Sequence, residues 1–152
     1  MEGGTLNLVA MLHLMMLCFW GGVVATEAVV EVAPFRQKDL HPAAIRFHYW
    51  IDLMVELPLV LAVVATGITL LFLTEPLTPL HWLKVGFGAA AVAVNLFCIV
   101  VVVKRGRRLL QNPDDSALWR SSRIVLACFA TGLLCAAGAA VLGFRFAFDR
   151  LG

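Results

Sequence analysis

The stretch Glu27–Glu56, EAVVEVAPFRQKDLHPAAIRFHYWIDLMVE, decides how the chain folds. Two apolar segments meet in it across a short turn carrying Arg36, Lys38 and Asp39, the signature of a helical hairpin. Glu27 and Glu31 stand on the first limb, and His48, Asp52 and Glu56 on the second. Spacings of four residues place each set on one stripe of its helix, so the two sets can converge. With the turn centred near residue 40, Glu27 comes level with Asp52 and Glu31 with His48.

Outside this hairpin the composition points the same way. Apolar residues make up 61% of the 152 residues and the mean hydropathy is +0.90, well beyond the apolar share of about 45–50% in soluble domains. The expected fold is all-α: an integral membrane four-helix antiparallel bundle forming a single transmembrane domain over 1–152. The spans predicted are 6–35, 42–73, 79–104 and 119–148. A net charge of +2 with no basic face argues against nucleic acid as a partner. The N-terminus has no Lys or Arg ahead of its first apolar run, so the first segment is expected to be kept as a span and not cleaved as a signal peptide. Cys18, Cys98, Cys128 and Cys135 all fall inside apolar segments without CxxC spacing and read as buried thiols.

Prolines and small residues set the element boundaries. Pro34 closes the first helix, and Pro42 suits the first turn of the second. Pro58 removes a backbone bond and clashes with the carbonyl of Met54, which predicts a kink beside Glu56. Thr78 is placed to cap the third helix and Pro79 to open it. Lys104-Arg105-Gly106-Arg107-Arg108 is read as the end of the third span, and Asn112–Ser116 as a loop capping the fourth helix. Gly86, Gly88, Gly132, Ala136 and Ala140 offer close helix packing.

Arg36, Lys38, Arg46, Lys104, Arg105, Arg107, Arg108, Arg120 and Arg123 are nine of the twelve basic residues, all expected at one side. Only Lys84, Arg145 and Arg150 fall at the other. The positive-inside rule then puts both termini outside the cytoplasm and the carboxylate-rich end of the hairpin at the cytoplasmic side of an inner membrane.

Two polar zones follow. From His13 to Glu27 is about 21 Å along a helix, too far for one site. In the inner zone, Glu27, Glu31, His48, Asp52 and Glu56 form the ligand set of a non-haem metal such as Fe, Mn or Zn, which helix bundles hold between facing side chains. A competing reading pairs Glu27, Glu31, His48 and Asp52 with Arg46, Arg120 or Arg123 at the lipid–water boundary; another makes the acids carriers of protons or cations. In the outer zone, His13 and His81 come from two helices at one side and could clamp a b-type haem. His81 beside Trp82 also fits an interfacial anchor.

Leu12-His13, Phe19-Trp20-Gly21-Gly22, Pro58 with Thr66-Gly67, and Trp82-Leu83-Lys84 resemble motifs of the HemJ-type protoporphyrinogen oxidase family and of the related CopD-like copper-resistance membrane domains. The resemblance implies a haem-associated porphyrinogen oxidation or copper handling, with His13, Trp20 and Lys84 as the residues carried over. The chain departs from that pattern at Ala25-Thr26-Glu27 and at Asn95, where further histidines are expected.

Together these readings give a small multi-pass membrane protein holding a metal or haem b centre for redox or metal handling. The cofactor would be haem b or a non-haem Fe, Mn, Zn or Cu ion; His13, His81 and Lys84 would serve an outer site, and the five hairpin residues an inner one. The alternative is a non-catalytic subunit or assembly factor of a larger membrane complex. The expected partners are the lipid bilayer and either other membrane subunits or a second copy of the chain.

Overall fold

A computed structural model describes residues 2–74, 76–112 and 116–149, with side chains over 4–74, 76–112 and 116–143. The described residues are helical throughout, apart from short connections. Helix α1 covers Glu2–Arg36. A 3-10 turn, Lys38–Leu40, leads into α2, His41–Ile51. A π-helical segment, Asp52–Glu56, joins α2 to α3, Leu57–Leu73. Helices α4, Pro79–Gln111, and α5, Ala117–Asp149, complete the chain. Four rods, the second running from the 3-10 turn through α3, are long and apolar enough to cross a membrane.

Side-chain pairs give the directions of the rods. Along α1, Glu31, Glu27, Trp20 and His13 descend in number while their partners His48, His48 again, Glu56 and Thr66 ascend, so the first two rods are antiparallel. Helices α4 and α5 form the most extensive pairing. They too are antiparallel, with Ser122 against Arg105, Gly138 against Phe87 and Gly143 against Lys84.

The residues at the turns behave as their chemistry dictates. Pro34 lies inside the last turn of α1, which continues only to Arg36. Thr78 has extended backbone ahead of α4, and its N–H donates to His81 Nδ1 at 3.1 Å in a capping box. The break predicted at Pro58 takes a definite form. Asp52–Glu56 widens to π geometry directly before α3, in which Pro58 occupies the first turn, and wide turns of this kind cluster at functional positions.

Several sequence expectations are corrected. The helix that carries the third expected span continues through the basic run: α4 extends to Gln111. A Cβ added at Gly86 or Gly88 would meet nothing within 4 Å, and Ala136 and Ala140 are exposed. Of the expected packing residues Gly132 does face α4, against Val94, and Gly138 joins it, against the Phe87 ring. Cys18 is exposed, whereas Cys98 is buried and Cys128 and Cys135 are half-buried. The expected loop cap at Asn112–Ser116 includes 113–115, and the charge count includes Arg145 and Arg150; these lie outside the described backbone or side chains.

The distribution of polarity is the reverse of a water-soluble bundle. Phe72, Leu110, Leu134, Val29 and Met11 are each more than 70% exposed, while Glu27, His48, Asp52 and Arg105 are all 0% exposed. Apolar clusters bracket this polar interior. Trp20, Val60, Val63 and Ala91 lie on one side of it along the rods, and Ile45, Leu109 and Leu118 on the other. A third cluster, Cys98, Val102 and Val125, covers it from α4 and α5.

Gly106 of α4 lies tightly against the Tyr49 side chain of the second rod. A Cβ there would stand 2.6 Å from Tyr49 Cδ2 and 3.1 Å from Cγ, near the base of a ring that cannot swing clear. Gly106→Ala is therefore expected to destabilise the fold by about 1–3 kcal/mol through overpacking, whereas Gly88→Ala is expected to be neutral or slightly stabilising. Denaturation of the purified protein in detergent measures both.

Candidate metal centre

The hairpin brings its inner residues together because both limbs keep a regular stripe up to the same depth. Glu27 and Glu31 are one helical turn apart on α1. His48 lies on α2, and Asp52 and Glu56 open and close the π segment. All five are buried, at 2% exposure or less.

Glu31 and His48 form the rigid side of the cluster. His48 Nδ1 is 2.9 Å from Glu31 Oε2. Arg105 grips the same carboxylate with two nitrogens, Nη1 to Oε1 and Nη2 to Oε2, the latter at 2.9 Å. Its Nη1 also donates to Ser122 Oγ at 2.9 Å, and Ser122 in turn meets His41 Nε2 at 3.0 Å. His41 is stacked on Trp119 with ring centres 3.9 Å apart. A bidentate guanidinium–carboxylate pair of this type holds geometry as well as charge.

Glu56 is held differently. Its Oε1 accepts from Trp20 Nε1 at 3.0 Å and from Asn95 Nδ2 at 2.6 Å. Two neutral donors thus fix one oxygen of the carboxylate, which forms no ion pair among the described residues.

Between these two anchored groups lies the part of the cluster without protein partners. Both oxygens of Glu27, both of Asp52, and His48 Nε2 are buried and make no hydrogen bond among the described residues. His48 Nε2 approaches Asp52 Oδ1 to 3.2 Å and Glu27 Oε2 to 3.9 Å, ion-pair contacts that lack hydrogen-bond alignment, so the five atoms face only one another. One ligand atom from each of Glu27, His48 and Asp52 falls within 4.8 Å of the others. Buried polar atoms are paired in folded proteins in the great majority of cases, and bringing two carboxylates and an imidazole nitrogen into one dry space is costly unless a cation joins them.

The separations suit an ion. Bonds of about 2.0–2.2 Å from a first-row divalent metal to N and O place its ligand atoms up to ~4.2 Å apart. The 3.2 and 3.9 Å contacts already lie in that range.

Arg46, Arg120 and Arg123, the cations a boundary ion-pair reading would use, are exposed. The counter-ion is Arg105, which the sequence reading assigned to a charged helix end. Its stripe was there to be read: Cys98, Val102, Arg105 and Leu109 recur at helical spacing and are all buried. His41 is the buried first residue of α2.

The outer residues make contacts apart from this cluster. His13 Nδ1 is 2.8 Å from Thr66 Oγ1, whose proton goes to the Ala62 carbonyl, so the imidazole is the donor. Its ring packs on Gly67. His81 Nδ1 is engaged in the cap of its own helix. Lys84 is half-buried over Gly143 and within electrostatic reach of His13. No unpaired buried atom occurs at His13, His81 or Lys84.

No protein-family model, curated protein or solved structure matches the chain. Its function is therefore argued from the geometry alone.

Arg105 and the exposed arginines separate sharply in energy. Arg105→Ala leaves the Glu31 carboxylate buried without its partner and is expected to cost about 3–5 kcal/mol. Arg46→Ala, Arg120→Ala and Arg123→Ala are expected to stay within about 0.5 kcal/mol of wild type. Denaturation in detergent with circular dichroism resolves the difference.

Proposed function

We propose that the protein is a multi-pass membrane protein that holds a divalent first-row metal ion inside its bundle, for redox chemistry or metal handling. Glu27, Asp52 and His48 Nε2 are the ligands, and Glu56, anchored by Trp20 and Asn95, is the further carboxylate at hand. The observation that carries this reading is the set of five buried, unpaired ligand atoms contributed by Glu27, Asp52 and His48.

Charge and ligand type narrow the ion. Glu31 is balanced by Arg105, which leaves the carboxyl groups of Glu27, Asp52 and Glu56 to face a cation. Carboxylate oxygens with one imidazole suit Mn²⁺, Fe²⁺ or Zn²⁺, and the absence of sulfur from the cluster disfavours Cu⁺. In the proposed orientation both termini lie outside the cytoplasm of an inner membrane, since the basic residues concentrate at the ends of the rods nearest Glu31 and His48.

Metal analysis of the detergent-purified protein tests the proposal. The wild type is expected to retain about one divalent ion per chain through dialysis, released by chelator and with folding stability falling on its release. Asp52→Asn and Glu56→Gln are expected to remain folded, the first losing the ion and the second weakening its retention. Metal at background level in the wild type, or full retention by Asp52→Asn, overturns the reading. Loss of a co-purifying membrane subunit in the same variants, with no metal to lose, would identify an assembly role instead.

A further inference from the structure

We infer that Arg105 is a positioning residue for the metal centre: acting through Glu31, it sets which nitrogen of His48 faces Glu27 and Asp52 as a bare lone pair. This inference rests on the metal-binding reading above and extends it to residues that touch no ion.

The imidazole has two nitrogens, and only one can ligate while the other carries the proton. Glu31 Oε2 stands 2.9 Å from Nδ1. Two lone pairs would repel at that distance, so Nδ1 carries a hydrogen and donates it. Arg105 Nη2 is also near Nδ1, but at 3.2 Å, and the same nitrogen has a shorter contact of 2.9 Å with Glu31 Oε2. Nη2 has two hydrogens, but an Nδ1 that accepted the second would hold its lone pair against Glu31 Oε2 at 2.9 Å, so the Glu31 contact favours the ring hydrogen on Nδ1. With Nδ1 committed to Glu31, Nε2 is the nitrogen left to face Glu27 and Asp52, 3.9 Å from Glu27 Oε2 and 3.2 Å from Asp52 Oδ1, and a cation bound between them would take its lone pair in place of a proton.

Glu31 could not hold this position alone. Its carboxylate is 1% exposed, and both of its oxygens are taken by Arg105. Arg105 is itself located by Ser122 on α5, at 2.9 Å. The line Ser122–Arg105–Glu31–His48 thus crosses from α5 through α4 and α1 to α2. Every helical rod contributes to the direction of a single ring nitrogen. A carboxylate that takes the second N–H of a metal-bound histidine raises ligand basicity and fixes ring orientation, and loss of such a partner typically lowers metal affinity by about 10–100-fold.

Phe129 stacks on the His48 ring with centres 5.6 Å apart and planes 11° from parallel. It restrains the ring plane but offers no preference between the two nitrogens, so the choice falls to Glu31 and Arg105.

The test uses Co²⁺ as probe, because its visible bands report the number and type of ligands. The full-length protein in detergent is titrated as wild type, Glu31→Gln, Arg105→Lys, and the double variant Glu31→Gln/Arg105→Gln, which removes both members of the ion pair together. The inference expects Co²⁺ affinity to fall about 10–100-fold in Glu31→Gln and in the double variant, with an altered spectrum. Adding His48→Ala to the double variant should cost much less than His48→Ala costs in the wild type. Arg105→Lys, which restores the charge without the fork, should bind with intermediate affinity.

Wild-type binding with an unchanged affinity and spectrum in both Glu31→Gln and the double variant overturns the positioning role while leaving the metal centre intact. Failure of the wild type to bind Co²⁺, Mn²⁺ or Zn²⁺ overturns the centre itself, and the positioning role with it.

Discussion

The buried ion pair between Arg105 and Glu31 is the constraint on which the rest of the structure depends. A carboxylate and a guanidinium placed beyond the reach of water are tolerated only as a matched pair with well-directed hydrogen bonds. That requirement fixes the rotation of α1 and α4 about their own axes and the depth at which the two meet. Once it is met, the polar residues of the hairpin have no freedom to turn outward. Glu27 follows Glu31 by one turn, and Asp52 follows His48. The unpaired ligand atoms are thus a consequence of where the paired ones must go.

The apolar clusters above and below the polar layer add a second condition. Trp20, Val60, Val63 and Ala91 on one side, and Ile45, Leu109 and Leu118 on the other, exclude solvent from the intervening space. Electrostatic interactions gain strength in such surroundings, and unsatisfied polar atoms become expensive there for the same reason. Trp20 belongs to both parts of the molecule. Its ring packs in the apolar cluster, and its indole N–H fixes one oxygen of Glu56.

Much of this was legible in the sequence because ionisable residues are rare in long apolar segments. Glu27, Glu31, His48, Asp52 and Glu56 stand out from their surroundings, and their four-residue spacings give the hairpin register to within a turn. Arg105 was hidden for the opposite reason: it sits in Lys104–Arg108, where one more basic residue carries no contrast. Finding it required knowing that the helix continues to Gln111, since only then does its phase with Cys98, Val102 and Leu109 have meaning. The faces used in helix packing were illegible for a related reason. Glycine and alanine are so frequent in the last two rods that several stripes qualified, and only side-chain bulk such as that of Phe87 chose among them.

The π segment Asp52–Glu56 has an evolutionary side as well as a mechanical one. A wide turn of this kind carries one residue more than the regular helix needs, and in an α-helix each residue advances the face by about 100°. The second rod can therefore be regarded as an ordinary helix that has accepted a single inserted residue and confined the disturbance to one turn. What the insertion changes is the phase between the two halves: the His48 half and the Val60 half are set independently against α1. A site bracketed by such a turn can have its ligand half re-aimed by the gain or loss of one residue, while the apolar half that seats the rod in the bundle keeps its contacts.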